Sequence, residues 1–357
     1  MSVLARAGAG PLSAAARAVV PWLWRGKYFS SGKEPAENSL VTPMLRHLMY
    51  KIKSTGPITV AEYMREVLTN PAKGYYVYRD MLGEKGDFIT SPEISQIFGE
   101  LLGIWFISEW MATGKSAAFQ LVELGPGRGT LAGDILRVFS QLGSVLKNCD
   151  ISIHLVEVSQ KLSEIQALTL AEEKIPLERN AGSPAYMKGV TKSGIPISWY
   201  RDLQDVPKEY SFYLAHEFFD VLPVHKFQGF CGHKLHDVLI APGTADLTAD
   251  VDFSYLRRMA QGKVASLGPV QQQTFLKNMG IDVRLKVLLD KSDDPSMRQQ
   301  LLQGYDMLMN PKKMGERFNF FALLPHQRLH GGSHQMNARQ SKPSPSPVAG
   351  FGELVWR

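Results

Sequence analysis

Cysteine is nearly absent from this sequence of 357 residues, which contains only Cys149 and Cys231. Two cysteines supply neither a disulfide framework nor a zinc site built from cysteine ligands. Hydrophobic runs long enough to cross a bilayer are also absent, because the apolar stretch at 101–111 is far shorter than the ~20 residues required and contains Glu109. We therefore predict a globular protein without a transmembrane helix or a metal site.

Acidic residues are missing from positions 1–33, which carry five basic ones: Arg6, Arg17, Arg25, Lys27 and Lys33. The segment is also rich in serine and alanine, and this composition is typical of a mitochondrial transit peptide. It supplies most of the formal net charge of +6, so the rest of the chain is nearly neutral. A neutral remainder argues against electrostatic binding of nucleic acid. We predict mitochondrial import, with a disordered basic arm as the alternative.

Three further regions follow the transit peptide. Residues 34–112 are predicted to form an N-terminal helical and lid region, in which the spacing of Thr59 and Glu62 fits a capping box at a helix start. Residues 113–327 alternate β-rich runs (FQLVEL, ISIHLVEV, IPISWY, YSFYLAHE) with helical stretches, which indicates an α/β fold with a parallel sheet. Residues 328–357 are rich in glycine, serine and proline and are predicted to be a flexible tail.

The stretch FQLVELGPGRGTLAGDIL, at 119–136, has the strand, glycine turn and helix order of a nucleotide-binding site. A dinucleotide fingerprint starting at Gly125 needs glycine at position 130, where this chain has Thr130; its other glycines are Gly127 and Gly129. Glu123 precedes the turn, where a pyrophosphate would be repelled. S-adenosylmethionine carries an ammonium and a sulfonium and no phosphate, so a carboxylate beside a glycine turn suits it better.

Acidic residues also end the next two strands. Glu157 follows ISIHLVEV and is predicted to accept hydrogen bonds from both ribose hydroxyls, as acids at this sheet edge do. Asp202 follows the third strand and is a candidate partner for the adenine amino group. Either acid alone could be a solvated residue at a strand end. Their occurrence after successive strands favours the cofactor-binding interpretation, more for Glu157 than for Asp202.

The fourth strand ends in AHEFFDVLPV, which places His216, Glu217 and Asp220 where the donor methyl would point. Methyl transfer depends mainly on positioning the nucleophile and handling its proton and charge. A guanidinium acceptor would need one or two carboxylates to hold it, and Glu217 and Asp220 are the candidates. The alternative is that Asp220 caps the following turn while Phe218 and Phe219 belong to the core.

The loop GDFITSPEIS, at 86–95, is a candidate lid over the site. It contributes Asp87, Thr90, Ser91 and Glu93 ahead of an apolar helix. The Ser-Pro-Glu sequence is equally typical of an ordinary helix start with proline in its first turn. Both interpretations stay open.

Together these segments resemble the MidA-like family. The resemblance rests on GYY at 74–76, GDFITSPEISQIFGE at 86–100, VELGPGRGTL at 122–131, HEFFDVLPVHKF at 216–227, HDVLIAPGTADLTADVDF at 236–253 and MGERFNFFAL at 314–323. It implies a class I S-adenosylmethionine-dependent methyltransferase of the mitochondrial matrix. It further implies symmetric dimethylation of an arginine ω-nitrogen in a core subunit of respiratory complex I, with a role in assembly of that complex. On this resemblance the three glycines and Glu157 bind the donor, and the HEFFD acids face the acceptor.

One segment of the family pattern is missing here. Relatives carry a long segment after HKF that includes the fifth strand in the sheet order 3-2-1-4-5-7-6, whereas Gln228 runs directly into Gly229 in this chain. We therefore predict a core interrupted at 228/229 that lacks one interior strand, with either re-pairing of the sheet or an exposed edge. Only ASLGPVQQ and RFNFFALL remain as later strands, and IDVRLKVLLD fits a helix better.

Two other functions compete with the methyltransferase. A nicotinamide-dependent oxidoreductase would need glycine in place of Thr130 and would have no use for Glu123. A non-enzymatic binding or assembly protein is the stronger alternative, because loss of an interior strand could impair catalysis while the donor-binding half is retained.

Overall fold

The computed structural model describes residues 41–77, 81–83, 86–171, 183–329 and 347–352. The predicted transit peptide and most of the predicted tail lie outside these residues. From Thr42 onward the chain forms one compact unit. Within the described ranges, no helix is both long and apolar enough to span a membrane.

Strands and helices alternate through the middle of the chain. The strands are β1 Ala118–Leu124, β2 Asp150–Val156, β3 Met187–Val190, β4 Pro196–Tyr200, β5 Ser211–Ala215, β6 Gln228–Cys231, β7 Lys234–His236, β8 Asp246–Thr248, β9 Ala265–Gln271 and β10 Asn319–Leu324. The helices are α1 Pro43–Thr55, α2 Val60–Thr69, α3 Ser91–Ile94, α4 Gln96–Ala112, α5 Thr130–Gln141, α6 Gln160–Leu170, α7 Phe253–Ala260, α8 Gln272–Asn278, α9 Ile281–Lys291, α10 Pro295–Met309 and α11 His326–Leu329.

The central sheet has the strand order β3-β4-β2-β1-β5. Strands β4, β2, β1 and β5 are parallel, as the alternation of apolar runs and helices predicts, and they correspond to the expected order 3-2-1-4. Strand β1 is buried along most of its length because its residues face layers on both sides of the sheet. The added edge strand β3 runs antiparallel to β4 and was not expected from the sequence. The α/β class I methyltransferase architecture is therefore confirmed.

Among the described residues the central sheet ends at β5, which is compatible with the predicted loss of an interior strand. Strands β9 and β10 pair antiparallel with each other in a separate two-stranded sheet instead of extending the central one. The chain between them and β5 forms a small three-stranded sheet in the order β7-β6-β8. The central sheet has therefore not re-paired across the gap, and β5 is its edge among the described residues.

The two largest of the three hydrophobic clusters among the described residues form the core of the central sheet and the core of the lid region. The larger one joins α4, α5 and the inner side chains of β1, β2 and β4 to β9, β10 and the helices between them. The smaller one joins α1 and α2 to β8, through residues such as Met44, Met64 and Leu247, each at most 2% exposed. The predicted capping box at Thr59 and Glu62 begins α2. The second cluster forms the body of the lid region.

The start of the predicted tail is packed rather than flexible. Arg328 donates two hydrogen bonds to the buried carboxylate of Glu109, at 2.7 and 2.8 Å, and a third to the carbonyl oxygen of Pro347. Val348 and Phe351 are buried, and the Trp105 indole donates to the carbonyl oxygen of Ala349. The prediction failed at these positions because polar and glycine-rich composition does not show a buried ion pair. The rest of the tail lies outside the described residues.

Candidate active site

A cavity of about 570 Å³ lies between the carboxyl edge of the central sheet and the lid region. Parallel α/β sheets bind ligands at this edge, because the loops after successive strands converge there. The predicted site residues that line it are Asp87, Thr90, Glu93, Glu123, Gly125, Gly127, Glu157, His216, Glu217 and Asp220. The donor-side and acceptor-side residues that the sequence suggested are thus brought together in one cavity.

The turn after β1 needs glycine, because a side chain at these positions would be too close to neighbouring residues. Gly125, Gly127 and Gly129 have φ of 62°, 56° and 82°, in the left-handed region that favours glycine. A Cβ on Gly125 would lie 2.8 Å from the Phe218 ring, and one on Gly127 would lie 2.9 Å from Leu82. Gly129 does not line the cavity; it precedes the first residue of α5 and packs beside Leu170. The turn therefore requires glycine for both its backbone and its surroundings.

Glu123 has a buried carboxyl oxygen for which the described residues offer no hydrogen-bond partner. The residue is 2% exposed, and its Oε2 makes no hydrogen bond within the described part of the chain. Burial, with repulsion from Glu157, raises its pKa to about 8. A buried carboxyl oxygen that lacks a partner is costly, and a cationic ligand group in the cavity would relieve that cost. This is the feature that fits the ammonium or sulfonium of S-adenosylmethionine.

Glu157 is held in place before any ligand arrives. Its Oε1 accepts from the backbone N–H of Ser159 at 2.7 Å, and its Oε2 accepts from the amide of Gln166 at 3.1 Å. Burial nevertheless raises its pKa to about 7, and these hydrogen bonds oppose the rise. Each carboxylate oxygen can accept more than one hydrogen bond, so both remain available to a diol. The position at the end of β2 matches the predicted role at the ribose.

Asp202 does not line the cavity. Its side chain is exposed and accepts a hydrogen bond from the backbone N–H of Gln204 at 2.9 Å, which caps the 3₁₀ turn Leu203–Asp205. The prediction of an adenine contact assumed that the chain continues outward from the end of β4. Instead it turns immediately, and the aspartate is used in that turn.

The HEFFD segment brings two acids and a histidine to the opposite wall. Glu217 has a positive φ of 47°, a strained conformation for a residue with a side chain, and strain of this kind concentrates at functional sites. Glu217 Oε1 and Asp220 Oδ1 have no hydrogen-bond partner among the described residues. Burial and repulsion from Asp220 raise the pKa of Glu217 to about 8, and burial raises the pKa of Asp220 as well. The wall thus presents two buried carboxyl oxygens that could accept hydrogen bonds from a ligand.

His216 is a neutral neighbour rather than a cation. Its Nε2 lies 3.3 Å from Glu217 Oε1, but burial lowers its pKa to about 4, so it is uncharged near neutral pH. Its ring packs edge-on against Phe98 with 5.2 Å between the centroids.

Phe218 lines the cavity and Phe219 is exposed, so neither is a core residue, contrary to the alternative interpretation. Asp220 lies within the turn Phe219–Val221 and accepts from Thr248 Oγ1 at 3.3 Å.

The lid loop reaches the acceptor wall and also begins a helix. Thr90 and Glu93 form a capping box for α3, and both line the cavity. Ser91 is fully buried and does not line it; its hydroxyl lies 3.3 Å from Gln272, while its backbone hydrogen-bonds to Glu217. Asp87 accepts from the Tyr75 hydroxyl and lines the cavity. Both interpretations of the loop are thus compatible with the structure.

Asp246 on β8 is a cavity residue that the sequence reasoning missed. It is 6% exposed and accepts a hydrogen bond from the Tyr76 hydroxyl. Burial, with repulsion from Asp220 and Asp87, raises its pKa to about 6. Tyr76 and Asp246 lie in the stretches GYY and ADLTAD, which support the family resemblance. The only sequence signal for Asp246 itself was an acidic residue next to apolar ones. The acceptor wall therefore presents three carboxylates: Glu217, Asp220 and Asp246.

The arrangement suits a cationic donor and a cationic acceptor in one enclosure. Carboxylates occupy both walls, and burial raises the pKa of each. A bound cation favours the ionised form of a nearby carboxyl group, so binding and ionisation would reinforce each other. In the described ranges, no three histidine, cysteine or acidic side chains are arranged to hold a metal ion.

Comparison with protein families gives a match to S-adenosyl-L-methionine-dependent methyltransferases over residues 101–230 and 227–270. The match breaks and resumes at the point where the sequence predicts a missing segment. The chain is 72% identical to the mitochondrial protein arginine methyltransferase NDUFAF7 of Homo sapiens, with full coverage of both chains. That alignment spans 442 positions against 357 residues here, so the relative contains residues without a counterpart in this chain.

More distant relatives agree. The corresponding methyltransferase of Xenopus laevis is 48% identical over 91% of this chain and 92% of its own, and the Drosophila melanogaster homologue is 40% identical over 83% and 87%. Among solved structures, a Burkholderia thailandensis protein bound to S-adenosyl-homocysteine matches with a TM-score of 0.56. It is 20% identical and covers 82% of this chain and 94% of its own, which shows the shared fold.

Proposed function

The chain belongs to the family of S-adenosyl-L-methionine-dependent methyltransferases that includes the mitochondrial protein arginine methyltransferases, and from this premise we propose that it methylates arginine in a protein substrate. The observation that carries the proposal is the set of buried carboxyl oxygens without partners on both walls of one cavity. They belong to Glu123 on the donor side and to Glu217 and Asp220 on the acceptor side. These two sets of carboxyl oxygens suit a donor and an acceptor that both carry positive charge.

The donor side is proposed to hold S-adenosylmethionine, which supplies an electrophilic methyl group on its sulfonium when it is bound. The turn at Gly125 and Gly127 admits the methionine part, Glu123 faces its positive charge, and Glu157 accepts from the ribose hydroxyls. Asp202 has no part in this site because it is exposed on a turn.

The acceptor side is proposed to hold a guanidinium. Glu217, Asp220 and Asp246 each provide carboxylate oxygens, and paired hydrogen bonds from a guanidinium to a carboxylate fix its plane as well as its charge. As the acceptor nitrogen bonds to the methyl carbon, the methyl–sulfur bond would break and leave S-adenosylhomocysteine. A raised pKa allows Glu217 to take the proton that the nitrogen then loses. His216 is proposed to pack beside Glu217, and Asp87, Thr90 and Glu93 to close this wall. The backbone of the buried Ser91 is proposed to hold Glu217 in position.

The finer specificity and setting are also part of the proposal. We propose symmetric dimethylation of a core subunit of respiratory complex I in the mitochondrial matrix, with a role in assembly of the complex. Support comes from the resemblance to the MidA-like family, the mitochondrial names of the relatives, and the transit-peptide composition of residues 1–33.

The test is methyl transfer from isotope-labelled S-adenosylmethionine to purified complex I core subunits, followed by amino-acid analysis. Label in symmetric dimethylarginine is expected. Label only in asymmetric dimethylarginine would contradict the finer specificity, and label only in residues other than arginine would contradict the acceptor.

A non-enzymatic role is the second candidate, and the position of β5 as the last strand of the central sheet in the described ranges favours it. In that case the folded chain binds the donor and associates with the complex I subunit but transfers no methyl group. The same labelling assay, with a pull-down of the subunit in parallel, separates the two functions.

A further inference from the structure

Gln166, on the inner face of α6, connects the two halves of the proposed donor site. The side chain is fully buried. Its Nε2 donates to the carbonyl oxygen of Gly127 at 2.7 Å and to Glu157 Oε2 at 3.1 Å. Its Oε1 accepts from the indole N–H of Trp199 at 2.9 Å. One amide is therefore hydrogen-bonded to the glycine turn after β1, to the acid that follows β2, and to the Trp199 side chain on β4.

The orientation of this amide follows from its partners. The indole N–H of Trp199 can only donate, and the carbonyl oxygen of Gly127 can only accept. Rotating the amide by half a turn would place a donor against the indole and an acceptor against the carbonyl. Both N–H groups of Gln166 are thus committed, one to the backbone of the turn and one to the carboxylate.

We propose that Gln166 is a positioning residue of the donor site, which fixes the Glu157 carboxylate relative to the glycine turn before the donor binds. The proposal rests on the proposed function only in that the cavity takes S-adenosylmethionine. Gln166 does not line the cavity, so we propose that it acts on the ligand through the Glu157 carboxylate, with its bond to the Gly127 carbonyl oxygen anchoring the amide. A carboxylate fixed in advance does not lose side-chain freedom on binding, which increases affinity for the ribose.

The first experiment measures binding of S-adenosylhomocysteine to Gln166→Met by calorimetric titration. Methionine keeps the length of the side chain but donates no hydrogen bond. The hydrogen bond is present with and without ligand, so its loss weakens binding through the freedom that the Glu157 side chain regains, and about a three- to tenfold increase in Kd is expected. Gln160→Met is the matched control, because Gln160 is an exposed residue of the same helix, and it is expected to bind within about twofold of the wild type.

A second arm tests whether the effect passes through Glu157. If Gln166 acts by positioning Glu157, the double variant Gln166→Met/Glu157→Gln should bind about as weakly as Glu157→Gln alone. Independent effects would multiply instead. A general loss of packing in α6 would produce the multiplied result.

The third arm uses Gln166→Glu and varies pH. When the introduced carboxyl is protonated it retains one donor for Glu157; when it is ionised it retains none and adds a negative charge. The groups that face Glu157 are Glu123, the Arg201 guanidinium, the Tyr186 hydroxyl and the Ser159 N–H. Since these are the same in wild type, the ratio of the variant's Kd to the wild-type Kd isolates the introduced group. That ratio is expected to rise at least about tenfold from pH 6 to pH 9. The ratio for Gln166→Met should not rise, because losing the Gln166 hydrogen bond raises the pKa of Glu157 and this effect fades as pH increases.

The outcomes separate this inference from the proposed function. Wild-type protein that is folded but does not bind S-adenosylhomocysteine would remove the donor site itself. If the wild type binds, three results would overturn the role of Gln166 and leave the donor site intact. They are unchanged binding by Gln166→Met, multiplied effects in the double variant, and a flat ratio for Gln166→Glu. If Gln166→Met does not fold, the pH series on Gln166→Glu decides.

Discussion

Replacing Gly125 by valine tests the glycine turn where it is most constrained. At φ of 62° a side chain costs about 1–2 kcal/mol, and a β-branched residue is an outlier in this region. The first added carbon would also lie 2.8 Å from the Phe218 ring, and relieving such overpacking costs about 1–3 kcal/mol. The total is about 2–5 kcal/mol, and at about 1.4 kcal/mol for each factor of ten this is at least about twentyfold in an equilibrium constant.

This cost can fall on folding or on donor binding, so both are measured. If the turn keeps its shape, urea denaturation shows the loss as lower stability; if the turn shifts into the cavity, calorimetric titration with S-adenosylmethionine shows it as weaker affinity. Gly194→Val is the matched control: Gly194 has φ of 80° in the turn between β3 and β4, and nothing lies within 4 Å of an added Cβ. It should lose stability through φ alone and keep full affinity. A Gly125→Val protein with wild-type stability and wild-type affinity would refute the reasoning.

Three further predictions concern the acids. Glu217→Gln keeps the shape of the side chain but removes its charge and proton-accepting capacity, so turnover should fall about a hundredfold or more while donor affinity stays within about twofold; unaltered turnover would eliminate it as the acceptor carboxylate. Burial and repulsion from Asp220 raise the pKa of Glu217 to about 8. The ionised fraction therefore grows as pH rises, and kcat/KM should increase from pH 6 to pH 9; a profile that decreases over this range would contradict the assignment. Arg328→Met leaves the carboxylate of Glu109, 1% exposed, without its partner and should lower the free energy of unfolding by about 3–5 kcal/mol in urea denaturation. Replacing Glu109 by Gln as well should recover part of this loss, and a decrease below about 1 kcal/mol would show that the pair contributes little.

The parallel half of the fold could be predicted because its signals are local. Strands β1, β2, β4 and β5 are apolar runs buried in a layered sheet, and the glycines between β1 and α5 mark a turn that no other residue type accommodates. The missing strand was predicted on a different basis, the resemblance to relatives that carry a longer segment after HKF, and the small number of later apolar runs agreed with it. By contrast, β6, β7 and β8 have three or four residues each and include several exposed positions, so they carry little hydrophobic pattern.

The site residues also differ in whether the sequence could predict them. Glu123 and Glu157 could be placed because the end of a parallel strand has one location, the carboxyl edge of the sheet. Asp202 met the same criterion and yet caps a turn, because the direction of the chain after β4 is not encoded in the strand itself. Asp246 and Gln166 were not predicted, since their roles depend on partners such as Tyr76 and Trp199 that only tertiary structure brings near.

The most direct test of the account is a crystal structure of this chain with S-adenosylhomocysteine. The account predicts the ribose within hydrogen-bonding distance of Glu157, the homocysteine part against Gly125 and Gly127, and its ammonium or sulfur facing Glu123. Electron density for the ligand elsewhere, with the glycine turn covered by the protein's own side chains, would contradict it.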